Sequence, residues 1–567
     1  MRFNFLTKIT LVAIIALGSF LRFYGLNWDQ GHNLHPDERA IILTVLRINP
    51  PDNISDFLSP DSSWNPQFFA YGSFPMYLLY FISHAVGFLD PRFMQYDFLA
   101  IVGRHISVFA DLVTILVLFL IGCKLFNERV GLIASLSYAI SVLPIQLSHF
   151  YAVDTLLTMF IVLTLYQLIL LYEKPSIKKS ILIGLFFGLA LATKISSTVL
   201  IVSIGTAIAA DFILVFLKQP HRPKDWIPHV PKFLKNLFLY GICIAAITIA
   251  IFVFIEPYAV IDFDNFWLQT MQQQAMTKDA FTFPYTLQYV GKIPYLYELK
   301  NIFFFGLGPI LSVLSFIGIF YFILTIFKKN KKEKWAQETI LLIFFVAYFI
   351  VVGKFAIGFM RYMLPLYPLL CLFAAIAIYK IFNKIKNKKI FVICALLFAL
   401  CVFTWPLSFT KIYSQNNTRV DATDWILKNI PQGEMILVEH WDDRLPITSS
   451  ENYVIEDLEL YNPDTPEKWL KINQQLNRAD YIIIASNRLY APLQRLTDCK
   501  KLPSYRCYTR TTVYYQQLFS EELGFKKIAE FNNYPTVPFL NIKIDDQKAD
   551  ESFTVYDHPK VMVFKKQ

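Results

Sequence analysis

The sequence predicts a polytopic α-helical membrane protein followed by a C-terminal α/β domain. Its 567 residues are 55% hydrophobic and only 17% charged, and the mean hydropathy is +0.43, which is typical of membrane proteins and not of soluble domains. Long apolar runs fill residues 1–409, whereas short helix and strand patterns alternate in 410–567. The net charge of +10 does not indicate a nucleic-acid partner, because Lys and Arg are expected in cytoplasmic loops.

The helical domain contains apolar runs that are long enough, or nearly so, to cross a bilayer. The run 181–217 is too long for one crossing and is interrupted at Lys194, so we divide it and expect about eleven transmembrane helices. The run 71–88, which contains Pro75, fits either a helix in the membrane interface or a true span. The other runs are 9–24, 100–123, 130–147, 155–172, 237–255, 302–327, 339–352, 362–379 and 390–409.

The distribution of basic residues decides between these topologies. If 71–88 lies in the interface and 181–217 is a hairpin, the basic connections all fall on the side of the N-terminus, which the positive-inside rule makes cytoplasmic. We therefore predict a multi-pass plasma-membrane protein with a cytoplasmic N-terminus and an extracytoplasmic C-terminal domain. The basic connections are 124–129, 173–179, 218–235, 328–334 and 380–389; the outer segments are the first loop 25–99 with its interfacial helices, 148–154, 256–301 and everything after 410.

The C-terminal domain, residues 410–567, interleaves helix and strand patterns and is large enough to have its own core. Cys499 and Cys507 could form a disulfide outside the cytoplasm, but their spacing alone leaves this open. The other cysteines lie in apolar runs and are expected to be packing residues. The predicted helices are 421–429, 465–476 and 512–523, and the predicted strands are 435–440, 481–485, 527–531, 540–544 and 561–564.

An acid pair, Asp37 and Glu38, follows the first apolar run, and two interpretations of it are open. The pair could belong to a capped interfacial helix, because Pro36 suits a first helical turn and acids suit its positive end. Alternatively, carboxylates at a membrane surface could act as the base or binding group for a substrate there. The choice depends on which groups the other segments bring to the same side of the membrane.

Other ionisable groups collect with the acid pair, and each also has a structural interpretation. Asp154 could cap a helix, and Arg104 could clamp a loop to a helix. Lys194 and Arg361 could extend to lipid headgroups. His149 fits a hydrogen-bonded polar residue better than a ligand. The complete group is Arg104, His149, Asp154, Lys194, Glu256, Lys354, Arg361 and Tyr362.

Acids and cations at one membrane face fit the transfer of a sugar from a lipid phosphate. The sugar leaves through an oxocarbenium-like state, the departing phosphate needs cations, and the acceptor hydroxyl needs a carboxylate to take its proton. The donor diffuses in the bilayer, so no nucleotide site is needed, and there is no Gly-rich phosphate loop. No spacing of His, Cys and Asp resembles a preformed metal site, and a divalent metal ion stays open as a cofactor.

Several of these segments resemble the GT-C glycosyltransferases, in particular the protein O-mannosyltransferases and the bacterial aminoarabinose transferases that act on lipid A. The resemblance covers 1–379, and 555–559 is similar to the extracytoplasmic domain of bacterial members. The segments that carry it are the acid pair, 71–75, 151–154, 193–194 and 361–365.

The resemblance implies an inverting transferase that uses a polyprenyl-phosphate-linked sugar donor. It implies Asp37 as the general base and Asp154 as a supporting acid, with Lys194 and Arg361 near the donor phosphate. The sugar, and whether the acceptor is a glycan, a lipid or a protein, stay open. The full candidate set adds Glu38 as a catalytic acid, Arg104, Lys354 and Tyr362 at the donor phosphate, and His149 and Glu256 in support.

Two other functions stay open beside this one. A membrane polysaccharide ligase or polymerase is expected to depend on outer Arg and His groups more than on an acid pair. A transporter or flippase of lipid-linked sugars would favour ionisable groups near mid-bilayer and matching broken helices in two halves. The sequence shows one broken pair, near Lys194, and no second half that matches it.

Overall fold

A computed structural model of the protein describes residues 3–218, 223–327 and 334–567. In these ranges nine helical stretches are long and apolar enough to cross a membrane, or ten if the bent pair Glu128–Ala139 and Val142–Ser148 is one span. The expected polytopic helical protein is therefore confirmed. The nine stretches are Phe5–Phe23, Tyr96–Leu125, Asp154–Glu173, Ile195–Ile213, Ile227–Ile255, Pro309–Ile326, Trp335–Gly353, Met360–Phe382 and Lys388–Asn429.

Two predicted runs are interrupted. The run 130–147 bends by 58° between its two helices, because Pro144 has no N–H to donate to the carbonyl of Ile140. The run 181–217 divides at Lys194 as expected, into the helices Ile177–Leu191 and Leu200–Lys218. Of the predicted basic connections, 219–222 and 328–333 lie outside the described residues.

The first outer loop carries short helices and no long span. The helix Phe74–Gly87 has 14 residues, fewer than the roughly 20 that a transmembrane helix needs. It packs against the helices Pro36–Val45 and Tyr96–Leu125. This position fits the interfacial alternative for 71–88. Further short helices of the outer loops are Ile54–Phe57, Tyr258–Ile261, Phe263–Lys278 and Leu296–Asn301.

Two spans lie at the periphery of the helical domain. The most apolar windows of Ile227–Ile255 and Lys388–Asn429 are each only 11% buried within the protein. Their large side chains, including Phe254, Leu396 and Leu400, are exposed. Contiguous apolar surface of this kind is stable against lipid hydrocarbon and not against water. These helices therefore face the bilayer.

The C-terminal domain contains the strands β1 Met435–Glu439, β2 Val454–Leu458, β3 Tyr481–Ile484, β4 Phe525–Phe531 and β5 Val561–Lys566. They form one mixed sheet of order β2-β1-β3-β5-β4. β1 pairs in parallel with β2 and β3, and β5 pairs antiparallel with β3 and β4. The strands β1 and β3 are buried along their whole length, as expected for strands covered on both faces.

Helices cover both faces of this sheet. The helix Thr418–Asn429 packs on one face through Ala422 and Ile426, and Pro466–Arg478 and Thr509–Phe519 pack on the other. The expected C-terminal α/β domain is thus confirmed as three layers. A disulfide joins Cys499 to Cys507 across a Cα separation of 5.3 Å. Shorter helices of the domain are Tyr490–Leu493 and Glu551–Thr554.

Two strand assignments differ from the sequence prediction. The segment 540–544 is not a strand, because Phe539 and Asn541 have positive φ angles of 64° and 53°, and only one bridge, from Thr536 to Lys543, forms there. The strand β2 was not predicted, since its Glu456 and Asp457 interrupt the apolar pattern.

Residues 546–558 fasten the C-terminal domain to the helical domain. Phe553 is buried in the core of the helical domain, and its carbonyl accepts a hydrogen bond from Gln146 Nε2 at 2.7 Å. Asp557 Oδ2 accepts from the same amide at 3.0 Å. His558 lies between Asp557 and Asp546, at 2.5 and 2.8 Å. Burial acts to lower the pKa of His558, but the two carboxylates raise it to about 10, so this imidazole carries a charge at neutral pH.

The predicted orientation can be tested by labelling single cysteines. In a background without the free cysteines, Lys386→Cys in a basic connection should resist a membrane-impermeant maleimide in sealed cells. Lys526→Cys in β4 should react, because both side chains are exposed and only the second is predicted to lie outside. Labelling of both positions after permeabilisation is the control. The opposite pattern in sealed cells would reverse the topology. The cysteines to be replaced are Cys123, Cys243, Cys371, Cys394 and Cys401.

Candidate active site

The acid pair begins the helix Pro36–Val45, whose N-cap is His35. His35 Nδ1 accepts a hydrogen bond from the backbone N–H of Glu38 at 3.3 Å. Burial lowers the pKa of His35 to about 3, so the ring is neutral and can accept. Adjacent residues of a helix point about 100° apart. Glu38 is fully buried, whereas the side chain of Asp37 is 22% exposed, so only Asp37 reaches the accessible side of the helix.

On the buried side of this helix, Glu38 and Asp29 both pair with the guanidinium of Arg104. Arg104 donates to Glu38 at 3.0 and 2.7 Å, to Asp29 at 2.9 and 2.7 Å, and to the carbonyl of Leu26 at 3.0 Å. These bonds use every N–H of the guanidinium. Glu38 Oε1 also accepts from the backbone N–H of Tyr151 at 2.9 Å.

The buried position of this cluster corrects two predicted roles. Glu38 was predicted as a catalytic acid and Arg104 as a ligand of the donor phosphate. Both side chains are fully buried, and they form an ion pair with each other. Neither can reach a substrate without breaking the cluster. Glu38 and Arg104 therefore fix the first outer loop to the helix Tyr96–Leu125, which is the clamp interpretation.

In front of the clamp, two acids and two cations alternate in a row that we call the quartet: Asp37, Arg361, Asp154 and Lys194. Arg361 forms an ion pair with Asp37, and its Nε lies 3.7 Å from Asp154. Lys194 Nζ donates to Asp154 Oδ1 at 2.8 Å. The side chains of Arg361 and Lys194 are 9% and 15% exposed. The structure thus brings together the four residues that the resemblance assigned to the base and the donor phosphate.

Each member of the quartet comes from the end of a helix. Asp154 lies in the first turn of Asp154–Glu173. Lys194 precedes the 3₁₀ turn Ile195–Val199, and Arg361 lies in the 3₁₀ turn Met360–Leu366. Helix ends leave backbone groups without partners inside the helix and meet water or ligands more easily than helix centres. The quartet is therefore placed at one face of the helical domain.

Electrostatics keep Asp37 charged. Burial acts to raise the pKa of Asp37, but Arg361, His35, Tyr71 and Lys194 together leave it below its ordinary value. Burial lowers the pKa of Lys194, and Asp154 opposes this effect. Asp37 is therefore ionised at neutral pH, and its carboxylate can accept a proton only if the nearby cations move or are neutralised.

Aromatic rings surround the cations. Lys194 Nζ lies 4.3 Å from the ring centre of Tyr362 and 5.9 Å from that of Tyr71, and Arg361 lies 4.9 Å from the ring of Phe359. Such contacts favour a cation in a partly dry site. Tyr362 was predicted at the donor phosphate, whereas Tyr71 and Phe359 were not singled out.

Tyr71 reaches the quartet because Gly72 allows two backbones to approach closely. The Gly72 N–H donates to the Thr193 carbonyl at 3.1 Å. A Cβ on Gly72 would lie 2.0 Å from the carbonyl oxygen of Ala192. Only glycine fits there. The motif at 71–75 contained this signal, but its partner segment was not visible in the sequence.

An apolar cavity of about 490 Å³ opens beside the quartet. Its polar lining includes Tyr71, Lys194, Tyr362 and Glu256. Burial raises the pKa of Glu256 to about 8, so this predicted supporting residue is largely neutral at pH 7. The apolar walls include Phe252, Phe266, Trp267, Val351, Val352 and Phe355.

Two predicted residues lie elsewhere. His149 is buried, stacks on the ring of Tyr413 at 3.7 Å and contacts the carbonyls of Ile145 and Tyr24 at 2.9 and 3.0 Å. Its position is structural. Lys354 is exposed and lines a different, open cavity of about 740 Å³. Neither residue contacts the quartet.

The described residues do not fit a metal site here. They contain no group of three or more His, Cys, Asp and Glu side chains that could hold an ion. Both acids of the quartet already face cations, and a divalent ion would be repelled by Arg361 and Lys194. We therefore route no chemical step through a metal.

A protein-family model described as dolichyl-phosphate-mannose-protein mannosyltransferase matches residues 96–255. A comparison with curated proteins finds no match. Among solved structures, the archaeal oligosaccharyltransferase AglB from Archaeoglobus fulgidus, in complex with an inhibitory peptide and a dolichol-phosphate, has a TM-score of 0.53 at 13% identity, covering 99% of this chain and 88% of that chain.

Two further solved structures are similar. The apo form of the Archaeoglobus fulgidus oligosaccharyltransferase has a TM-score of 0.50 at 16% identity, covering 86% of this chain and 71% of that chain. ArnT from Cupriavidus metallidurans bound to undecaprenyl phosphate has a TM-score of 0.47 at 12% identity, covering 85% of this chain and 94% of that chain.

The helical domain therefore has the GT-C fold, and the predicted resemblance to this superfamily is confirmed. The predicted class, a multi-pass membrane glycosyltransferase, is confirmed with it. Proteins of this class transfer sugars from lipid-phosphate donors.

The clamp can be tested by removing its cation. Arg104→Met would leave Asp29 and Glu38 buried without a partner, so we expect a loss of about 3–5 kcal/mol in the free energy of unfolding. The measurement is unfolding of the purified protein in mixed micelles. Arg92→Met is the matched control, because Arg92 pairs with Asp90 at the surface, where ion pairs contribute little. Equal effects of the two substitutions would contradict the clamp.

Proposed function

We propose that the protein transfers a sugar from a polyprenyl-phosphate donor to an acceptor hydroxyl at the extracytoplasmic face of the plasma membrane, with inversion. One observation carries the proposal: the quartet adjoins the apolar cavity through Lys194, Tyr71 and Tyr362. Lys194 therefore lies where the phosphate of a lipid bound in the cavity would be, and Arg361 is linked to Lys194 through Asp154.

The cavity and the cations suit the two halves of such a donor. An isoprenoid chain is apolar, and the cavity walls carry Phe, Trp and Val side chains. A phosphate attached to it is anionic and needs charge-assisted hydrogen bonds in a partly dry site. Arg361 can offer two parallel N–H groups, and Lys194 adds a point charge. Asp154, which contacts both cations, positions them.

In this proposal Asp37 acts as the general base. In the proposed reaction the acceptor oxygen attacks the anomeric carbon from the side opposite the phosphate. The bond from the anomeric carbon to the phosphate oxygen breaks, and the phosphate keeps the electron pair. Asp37 takes the proton of the acceptor hydroxyl, while Arg361 and Lys194 stabilise the developing phosphate charge. One displacement of this kind inverts the anomeric configuration.

The ion pair between Arg361 and Asp37 suggests how the base is activated. Without donor, Arg361 neutralises Asp37 and depresses the basicity of its carboxylate. A bound phosphate competes for the same guanidinium and releases the carboxylate. Glu256, neutral at pH 7 because its pKa is about 8, can donate a hydrogen bond into the same cavity.

The cations can be tested through donor affinity. Arg361→Ala should weaken binding of a polyprenyl phosphate in nanodiscs more than Arg361→Lys, since lysine keeps the charge and loses the two-pronged grip. Lys194→Ala should also weaken it, by about tenfold or more for a lost charged hydrogen bond. Lys354→Ala is the control, because Lys354 lies outside the cavity. Unchanged affinity in both Arg361→Ala and Lys194→Ala would reject the donor site.

The base can be tested with Asp37→Asn. Asparagine keeps the size of the side chain and removes its basicity, so transfer from a radiolabelled polyprenyl-phosphate sugar should fall about 10²–10⁴-fold. Donor binding should be kept or become tighter, because Arg361 no longer pairs with a carboxylate at this position. The fold should survive, since Asp37 is not part of the buried clamp. Asp61→Asn, an exposed acid of the same loop, is the control. Turnover within a few-fold of wild type for Asp37→Asn would exclude the base role.

A further inference from the structure

The carboxyl ends of the parallel strands β1 and β3 face the acid pair. The loop after β1 contains Asp443, which accepts a hydrogen bond from Arg39 at 3.1 Å. Arg39 lies two residues after Asp37 on the same helix. In open α/β sheets, ligands bind in the crevice at the carboxyl ends of the parallel strands. The ligand-binding edge of the C-terminal domain is thus directed at the candidate active site.

Tyr556 connects this edge to the quartet. Its ring lies 4.1 Å from that of His35. It lies within electrostatic reach of Asp37 and Arg361 on one side and of Arg488 and Glu551 on the other. The phenol therefore stands between the candidate base and the C-terminal domain.

The loop after β1 exposes one large aromatic ring. Trp441 is 44% exposed and has a φ angle of 74°, a conformation that is costly for a bulky residue and is often kept at functional sites. Arg488, in the loop after β3, donates to its carbonyl at 3.1 Å. The ring lies 6.1 Å from that of Tyr285, which is itself within electrostatic reach of Asp37 and Arg361.

The charges of this edge are balanced. Arg39 pairs with Asp443, Arg419 with Asp442 at 3.0 Å, and Arg488 with Glu551 at 2.8 Å. A surface of matched pairs attracts neither a strongly anionic nor a strongly cationic ligand. It offers donors and acceptors side by side, which suits hydroxyl groups because each of them both donates and accepts.

Two buried polar atoms at this edge have no hydrogen-bond partner: Glu551 Oε2 and Asn487 Oδ1. The residues are only 8% and 7% exposed. Buried acceptors without a partner are costly. A ligand hydroxyl would satisfy them.

We infer that the C-terminal domain binds the acceptor, a neutral sugar, on a surface formed by Trp441, Arg488, Glu551 and Tyr556. The indole offers an apolar face for a sugar ring, and the Arg488–Glu551 pair bonds its hydroxyls. Tyr556 directs one hydroxyl toward Asp37. The inference rests on the proposed glycosyl transfer and specifies a neutral sugar as its acceptor. We call the four residues the acceptor surface.

The probe is a panel of neutral methyl glycosides: the α and β methyl glycosides of glucose, mannose and galactose. Full-length protein in nanodiscs is titrated with each glycoside while tryptophan emission is recorded. We expect at least one to change the emission of the wild type. Trp441→Phe should remove that change. Trp425→Phe should keep it, because Trp425 packs on Phe531 in the same domain and away from the acceptor surface.

The affinity of the glycoside that responds gives a second measurement. Arg488→Lys keeps the charge but loses the planar donor array, so the apparent Kd should rise about tenfold. The inference is overturned if no glycoside changes the wild-type emission, if the change survives Trp441→Phe, or if a Ser/Thr-containing hexapeptide binds in place of the glycosides.

Donor binding separates failure of this inference from failure of the proposed function. Polyprenyl-phosphate affinity is measured on the same nanodiscs for the wild type and Arg361→Ala. If donor binding depends on Arg361 and the glycoside titrations fail, the acceptor surface alone is wrong. If donor binding does not depend on Arg361, the proposed donor site fails whatever the glycosides do.

Discussion

The buried guanidinium of Arg104 is the constraint on which the site depends. It takes Asp29 and Glu38 out of water, and burying charges costs several kcal/mol per ion before their attraction is counted. All of its donors are used, so the arrangement tolerates one geometry. Its main effect is to orient the acid pair. Because Glu38 points into the protein, the neighbouring Asp37 must point toward the accessible side of the helix.

The quartet continues the series of ion pairs from the buried clamp to the proposed substrate site. Two cations close together would repel each other in a partly dry site, but Asp154 lies between them and Asp37 completes the row. The site is therefore neutral while empty. In the proposed donor site a phosphate competes with Asp37 and Asp154 for the two cations, and the low dielectric strengthens each such contact.

Much of the fold could be predicted because it depends on local composition. Apolar runs identify the spans, and strands buried on both faces, such as β1 and β3, are apolar throughout. The sequence did not predict β2, because Glu456 and Asp457 interrupt its apolar pattern. The segment 540–544 has strand-forming residues, but positive φ angles at Phe539 and Asn541 break the extended conformation.

The sequence predicted those site residues that their charge alone identifies as candidates. Asp37, Asp154, Lys194 and Arg361 were chosen as acids and cations and meet in the quartet. The helical period shows that Asp37 and Glu38 diverge, but not which of them faces inward. The sequence left Arg104 between a clamp and a phosphate ligand, because its partner Asp29 is 75 positions away. Tyr556 was missed for the same reason, since only the folded chain places it beside His35.

The segment 546–558 also determines when the site becomes complete. Asp557 bonds to Gln146 across a separation of 411 positions, and closing so long a loop is slow and costs entropy. The helices that supply the quartet can therefore associate in the membrane well before Tyr556 arrives beside His35. In the predicted orientation the C-terminal domain must also cross the membrane before it folds. Until then the proposed donor site exists without the proposed acceptor surface, and a donor that binds early meets only water.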